Sequence, residues 1–306
     1  MNVRLSSSTK PVDSHARVGL ALGLAAYAFW GFLPLYFKAI ADVSPVDIVA
    51  QRVLWSLPLL AMLVTLARGW PVLRATLAQG RVVAMLGLTA VLIGVNWLLY
   101  VYSVTHGHIL ASSFGYYLNP LANVLLGRFV LKERLERLQW WAVAVAAAGI
   151  SVLAAGALSQ LWISLSLCVS FAAYGLLRKI VAADAITGLS IETAMLFPLA
   201  CGWLVWRDQA GAAIFGHRPY NLTLLCFAGI VSTTPLLLFT AAAKRLRYST
   251  LGMLQFIAPT LQFLIGVWYG EPFTRAHGIA FAAIWIALAL YVVALLRAPQ
   301  LPQPPE

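Results

Sequence analysis

Charged residues are scarce in this chain of 306 residues. Only 10% of its positions are charged, 61% are hydrophobic, and the mean hydropathy is +0.85. Because an ordinary soluble domain carries about 25% charged residues, this composition excludes that class and indicates an integral membrane protein. The formal net charge of +11 does not indicate a nucleic-acid partner, since the basic residues are scattered between apolar runs and form no basic face.

Cysteines and catalytic motifs are also scarce. The three cysteines, Cys168, Cys201 and Cys226, lie inside apolar segments without Cys-x-x-Cys spacing, which excludes an extracellular disulfide framework. No H-E-x-x-H motif, Walker loop or G-x-S-x-G motif occurs in the sequence. We therefore expect no enzyme, no cofactor and no ATP-driven transport by this chain alone. His106 and His108 form a His-x-His pair without an accompanying cysteine or carboxylate cluster, so we predict no metal site.

Long apolar runs occur at regular intervals along the chain. A bilayer core of about 30 Å needs roughly 20 apolar residues per helix. Ten segments meet this requirement, namely 19–39, 47–67, 82–103, 109–130, 138–156, 161–181, 189–207, 221–242, 249–269 and 277–297. The sequence therefore predicts an all-α integral membrane protein with ten transmembrane helices.

The distribution of lysine and arginine predicts how these helices are oriented. With ten spans, both termini share one side of the membrane, and sixteen of the 21 basic residues fall on that side. Four fall on the opposite side, and Arg52 lies inside a helix. By the positive-inside rule both termini are cytoplasmic. Removing one span would exchange the sides of all later loops and abolish this bias, which supports the count of ten.

An internal repeat divides the chain into two halves. The segment 115–133 resembles the segment 254–271, and Pro120 aligns with Pro259. We interpret these two prolines as helix breakers that flank a central cavity, although proline also occurs in membrane helices as an ordinary kink.

Each half contains five predicted helices. Because five is odd, the second half enters the membrane from the opposite side, as in transporters that open two gates alternately around a midplane site. The predicted organisation is a cytoplasmic tail at 1–17, inverted five-helix repeats at 18–156 and 161–297, and a cytoplasmic tail at 298–306.

Polar and aromatic residues inside the predicted helices indicate a substrate site. A polar stripe in hydrocarbon needs an interior partner or a wet cavity, and aromatic rings beside it suit an amphipathic organic solute. The alternative is interhelical hydrogen bonding that only holds the bundle together. The candidate substrate-binding residues are Tyr27, Trp30, Asn96, Trp97, Tyr100, Tyr116, Tyr117, Asn119, Tyr174 and Gln255.

Two ionisable residues, Arg52 and Glu192, lie inside predicted spans and align with each other in the repeat. Their helices start on opposite sides of the membrane, so at 1.5 Å rise per residue they lie on the order of 15 Å apart, too far for a salt bridge. We predict one near each gate, and Glu192 as the candidate for proton coupling, because a carboxylate in a low-dielectric environment resists ionisation. The alternative is that each side chain reaches its nearest interface.

Several motifs together resemble one transporter family. They include Trp30-Gly31, Asn96-Trp97 with Tyr100, Tyr174-Gly175 through Lys179, Glu192-Thr193, and the segments GYYLNPL (115–121) and TPLLLF (234–239). This order resembles the RarD family, in the EamA branch of the drug/metabolite transporter superfamily, over about residues 18 to 297. One departure lies at Ala111-Ser112-Ser113-Phe114, where members of that family often carry an acidic residue.

The resemblance implies a permease of the bacterial inner membrane that moves small organic solutes by alternating access. Its partners would be a small-molecule substrate and the lipid bilayer, while proton coupling and a homodimer stay open. The competing hypothesis is a non-transporting membrane scaffold whose polar residues only connect helices.

Overall fold

The computed structural model describes residues 14–40, 42–105, 109–154, 161–268 and 275–297. These residues form helices, turns and loops, with no strand among them. The helices are α1 (Ser14–Ala39), α2 (Pro45–Leu66), α3 (Trp70–Leu77), α4 (Gly80–Thr105), α5 (Ile109–Phe129), α6 (Arg137–Ala154), α7 (Leu161–Ile180), α8 (Ala185–Gln209), α9 (Asn221–Arg245), α10 (Tyr248–Leu254), α11 (Ile257–Trp268) and α12 (Arg275–Arg297).

Six of these helices, α1, α2, α4, α7, α8 and α9, are long and apolar enough to cross a membrane. The other four predicted spans fall on α5, on α6, on α10 with α11, and on α12. A multi-pass helical membrane protein is therefore confirmed, while the count of ten spans stays a prediction. The short helix α3, which connects α2 to α4, was not predicted from the sequence.

Each long helix packs against a helix that is distant in the sequence. Helix α1 lies against α9 and α11, α2 against α8 and α9, α4 against α7 and α8, α5 against α7 and α10, and α6 against α12. Glycines make the closest of these crossings possible. A Cβ atom on Gly229 of α9 would collide with the Trp55 carbonyl of α2, and one on Gly149 of α6 would lie 2.6 Å from the Ala283 Cβ of α12.

The Gly19-x-x-x-Gly23 motif serves contacts within the chain. A Cβ atom on Gly19 would lie 2.8 Å from the Arg245 Cβ, and one on Gly23 would lie 3.1 Å from the Leu254 side chain. These small residues therefore let α1 approach the end of α9 and the short helix α10.

The two prolines of the repeat lie in different surroundings. The segment predicted as the ninth span is divided into α10 and α11, and the break at Gln255 and Phe256 comes just before Pro259. At the break the backbone hydrogen bonds span three residues and not four, as in a 3₁₀ turn. The Ala258 N–H donates to the Gln255 carbonyl over 3.2 Å. Pro120, by contrast, lies inside the continuous helix α5.

Candidate functional site

Five aromatic rings fill the centre of the bundle. Tyr27 and Trp30 of α1, Phe171 and Tyr174 of α7, and Phe239 of α9 have neighbouring ring centres 5.6 to 6.4 Å apart. These distances are typical of favourable aromatic pairs. Three of the predicted substrate-binding residues thus lie together, and the sequence prediction missed Phe171 and Phe239.

Arg52 lies between this aromatic centre and one end of the bundle. Its Nε donates a 2.6 Å hydrogen bond to Ser232 Oγ of α9, and its guanidinium carbon lies 4.5 Å from the ring centre of Trp97 on α4. Trp97 in turn packs against the aromatic centre. Arg52 is partly exposed although it lies among these helices.

Three tyrosines lie within electrostatic range of the same guanidinium. The hydroxyl groups of Tyr36, Tyr116 and Tyr100 interact electrostatically with Arg52. The rings of Tyr100 and Tyr116 are 5.8 Å apart, and the Tyr116 hydroxyl lies 3.5 Å from Asn96 Oδ1. We call this group the Arg52 site; it consists of Tyr36, Arg52, Trp97, Tyr100, Tyr116 and Ser232. Its members come from α1, α2, α4, α5 and α9.

Asn96 connects the Arg52 site to α7. Its Nδ2 donates hydrogen bonds of 3.0 Å to the Leu167 carbonyl and to Ser170 Oγ. The side chain is buried, and its amide is engaged by protein groups. Asn96 therefore holds α4 against α7 and positions the Tyr116 hydroxyl.

Glu192 forms a second polar cluster, toward the other end of α4. Its Oε1 lies 3.5 Å from Arg178 Nε and accepts a 2.5 Å hydrogen bond from Thr89 Oγ1, and its Oε2 lies 3.5 Å from the Tyr174 hydroxyl. We call these four residues the Glu192 cluster. Thr89 and the Trp97 of the Arg52 site are eight residues apart on α4, which corresponds to about 12 Å. The carboxylate thus pairs with Arg178, in agreement with the expectation that it does not bridge to Arg52.

Arg178 is the residue that sequence reasoning misread. It was counted with the basic residues that flank the membrane, whereas its side chain is fully buried. Gly188 of α8 provides the room for it, because a Cβ atom there would collide with the guanidinium. Two signals in the sequence favoured the buried position. Arg178 lies inside the predicted span 161–181, and it follows Tyr174 by one helical turn.

The remaining predicted residues lie on α5 and at the end of α10. Asn123 Nδ2 donates a 2.8 Å hydrogen bond to Gln255 Oε1, and a Cβ atom on Gly252 would lie 2.9 Å from the Pro120 carbonyl. Tyr117 packs with α6, α10 and α12 in a separate hydrophobic cluster. Asn119 is fully buried, and neither of its side-chain amide atoms has a hydrogen-bond partner among the described residues.

The predicted substrate residues therefore do not form one site. They fall in the aromatic centre, in the Arg52 site with its neighbour Asn96, in the contact of Gln255 with α5, and at the buried positions of Tyr117 and Asn119. His106 and His108 lie outside the described residues. Within the described ranges, no group of three histidine, cysteine or carboxylate side chains is placed to hold a metal ion.

Comparison with known proteins identifies relatives over nearly the whole chain. The sequence model of the EamA-like transporter family matches residues 17–155. An "Uncharacterized transporter" of Vibrio cholerae is 44% identical over 291 residues, covering 94% of this chain and 96% of that protein. "Protein RarD" of Escherichia coli is 44% identical over 286 residues, covering 90% of this chain and 94% of that protein.

More distant relatives agree with this picture. "Chloramphenicol-sensitive protein RarD" of Pseudomonas aeruginosa is 34% identical over 277 residues, covering 89% of this chain and 92% of that protein. A crystal structure with 21% sequence identity superposes with a TM-score of 0.66 and covers 92% of this chain and 99% of the other, which shows the fold alone.

The apolar helices and these relatives define a multi-pass membrane transporter of the drug/metabolite type. Within that class, the chain belongs to the RarD family of EamA-like transporters.

Proposed function

We propose that this protein is a secondary transporter that moves small organic solutes across the bacterial inner membrane by alternating access. Ten spans form two inverted halves, at 18–156 and 161–297, with both termini in the cytoplasm. The transport class rests on the relatives, whereas the mechanism rests on the packing of the two halves against each other.

The observation that carries the mechanism is a pairwise symmetry of helix contacts. Exchanging the two halves turns the contact of α1 with α9 into that of α7 with α4, and the contact of α1 with α11 into that of α7 with α5. The same exchange turns the contact of α2 with α9 into that of α8 with α4. Three further contacts, of α2 with α8, α5 with α10 and α6 with α12, join counterparts and are therefore unchanged by the exchange. Two equivalent interfaces supply two arrangements of similar energy, which alternating access requires.

A carboxylate of the first half closes each end of the bundle against the second half. At the start of α9, Asp42 accepts hydrogen bonds from Asn221 Nδ2 over 2.8 Å and from the His217 N–H over 3.1 Å. These hydrogen bonds lower the pKa of Asp42, although its partial desolvation opposes them. The ionised form of Asp42 therefore favours closure of this end.

At the other end of α9, Glu133 caps the start of α10. It accepts hydrogen bonds from the backbone N–H groups of Tyr248 and Ser249 over 2.6 and 3.0 Å, and from Ser249 Oγ over 2.6 Å. A side chain from the first half thus satisfies backbone donors of the second half, which both holds the two together and stabilises the helix start. We propose that the Asp42 and Glu133 contacts are the two gates.

Cysteine labelling tests the two gates. In a variant with all three native cysteines replaced by serine, Val43→Cys and Leu246→Cys place buried reporters beside Asp42 and Glu133 respectively. Asp42→Asn should increase labelling of the first reporter and decrease that of the second, and Glu133→Gln should do the reverse. Labelling changes confined to the mutated end would contradict alternating access.

A scaffold is the second candidate, because hydrogen bonds such as Asn123 to Gln255 and Asn96 to Leu167 connect helices directly. Flux into proteoliposomes distinguishes the two functions. Amino acids, nucleobases and amphenicol drugs form the test panel. A scaffold gives no flux of any solute by correctly folded protein, whereas a transporter moves at least one.

Proton coupling through Glu192 would require its ion pair with Arg178 to open during transport, because Arg178 and Thr89 both engage its Oε1. We therefore expect Glu192→Gln to remove the dependence of flux on a pH gradient if the proton is the coupling ion. Flux that is driven equally well by the gradient in this variant would exclude Glu192 from coupling.

A further inference from the structure

We infer that the Arg52 site binds the negative group of a small organic anion, specifically a monocarboxylate with an aromatic or apolar body. This inference rests on the proposed transport function and names the class of solute. Three observations support the inference: Arg52 has no counter-ion among the described residues, its terminal nitrogens have no protein acceptor there, and aromatic rings lie beside it.

The charge of Arg52 has no counter-ion in the described part of the protein. Seven of the ten carboxylate side chains belong to described residues, and the ion pairs there join Arg178 to Glu192, Arg207 to Asp47, Arg218 to Asp42 and Arg247 to Glu133. None of these pairs includes Arg52. Because a guanidinium stays protonated in proteins, placing one among transmembrane helices without a counter-charge is unfavourable. A bound anion would remove that cost.

The donors of Arg52 are arranged for a carboxylate. Only its Nε has a protein acceptor among the described residues, namely Ser232 Oγ, so the four N–H groups of its two terminal nitrogens are left for a ligand. Such a planar fork binds the two oxygens of a carboxylate through parallel hydrogen bonds. The guanidinium is also partly exposed, which distinguishes it from the fully buried Arg178.

The walls of the site fit an apolar or aromatic body. Trp97 covers one face of the guanidinium, and the paired rings of Tyr100 and Tyr116 lie beside it. Groups on four other helices, α1, α4, α5 and α9, lie near the guanidinium, so Arg52 points into the bundle and not toward the surrounding lipid. Aromatic walls with one convergent charge are the usual composition of a site for a small amphipathic ligand.

Equilibrium binding to the purified full-length protein tests the inference. Labelled phenylacetate and phenylacetamide share one ring and differ in charge, and benzoate and indole-3-acetate extend the acid series. We expect the acids to bind and to raise the midpoint of thermal unfolding, and the amide to do neither. Wild-type protein that binds phenylacetamide as tightly as phenylacetate, or binds none of the acids, overturns the inference without the need for a variant.

Two substitutions locate the charge that is responsible. Arg52→Gln should weaken phenylacetate binding about tenfold to a hundredfold, because hydrogen bonds between charged groups are lost. Arg74→Gln removes an exposed positive charge on α3 and should leave the affinity unchanged. Equal affinity in Arg52→Gln and wild-type protein would show that the acid binds elsewhere.

An anionic lipid headgroup carries a similar charge and could occupy the same site. The binding of phenylacetate is therefore measured again in the presence of phosphatidylglycerol. Undiminished phenylacetate binding supports a solute site, and complete displacement by the lipid overturns it. Flux separates this inference from the proposed function. Binding of acids without flux of any solute contradicts transport alone, and flux of neutral solutes by a protein that binds none of the acids contradicts the anion site alone.

Discussion

Arg52 and Glu192 occupy the same position in two different helices and have opposite surroundings. Each is the eighth residue of its helix, α2 or α8, and each is hydrogen-bonded to a hydroxyl of the other half, Ser232 or Thr89. Glu192 also has a cation, Arg178, whereas Arg52 has no carboxylate among the described residues. The same position in two helices therefore does not dictate the same role. The charge of Glu192 is neutralised by Arg178, whereas the charge of Arg52 is available to a ligand.

The largest expected effect comes from removing the carboxylate of the neutralised cluster. Glu192→Gln leaves Arg178 buried without a counter-ion and should lower the free energy of unfolding by about 3–5 kcal/mol. Unfolding in mixed detergent micelles measures it. Glu136→Gln, at an exposed carboxylate, is the control and should behave as wild type. Wild-type stability of Glu192→Gln would mean that Arg178 is not held by this ion pair.

A substitution at Gly188 can fill the space beside the Arg178 guanidinium without changing any charge. Gly188→Ala places a methyl group against the guanidinium and should lower the free energy of unfolding by about 1–3 kcal/mol. The matched control is Gly202→Ala in the same helix, where a Cβ atom meets nothing within 4 Å and stability should be unchanged or slightly higher. Equal stability of the two variants would contradict the observed packing of Arg178.

A carboxylate nearer the membrane surface should matter less than Glu192 does. Glu133→Gln keeps a side-chain acceptor for the start of α10 but loses its charge, so we expect a loss of about 1 kcal/mol. Hydrogen exchange of the Tyr248 and Ser249 amides should become faster in this variant. Unchanged exchange at both amides would argue against capping by Glu133.

The smallest effect on stability is expected at Arg52 itself. Arg52→Gln loses one hydrogen bond and the contact with Trp97, but it also removes a charge without a counter-ion, so the free energy of unfolding should change by less than about 1 kcal/mol. The same unfolding measurement applies. A loss as large as that of Glu192→Gln would show that Arg52 is structural and that the two clusters are alike.

The apolar runs and the two ionisable positions were accessible from the sequence, because hydrophobic length and a charge inside a span are local properties. The grouping of the candidate residues was not. Tyr100 and Tyr117 both belong to aromatic and polar stretches, yet Tyr100 contacts the Arg52 site, whereas Tyr117 packs with α6 and α12. Which face of a helix meets which neighbour depends on packing between distant helices, and a single sequence carries little of that information.

The partner of Glu192 was missed for a related reason. Arg178 stands beside Lys179 near the end of α7, and the adjacent lysine donates to the carbonyls of Ala243 and Leu246 at the end of α9. Two neighbouring basic residues thus point in different directions on the helix, one inward to a carboxylate and one to a helix end. Counting charges along the chain treats them alike.

The break between α10 and α11 gives this span a built-in joint. At about 1.5 Å per residue, its two parts form arms of roughly 10 and 18 Å. Some of the regular helical hydrogen bonds are missing between them. Bending there consequently disrupts less backbone structure than bending a continuous helix such as α5. The hydrogen bond from Asn123 to Gln255 lies at this joint and connects it to α5.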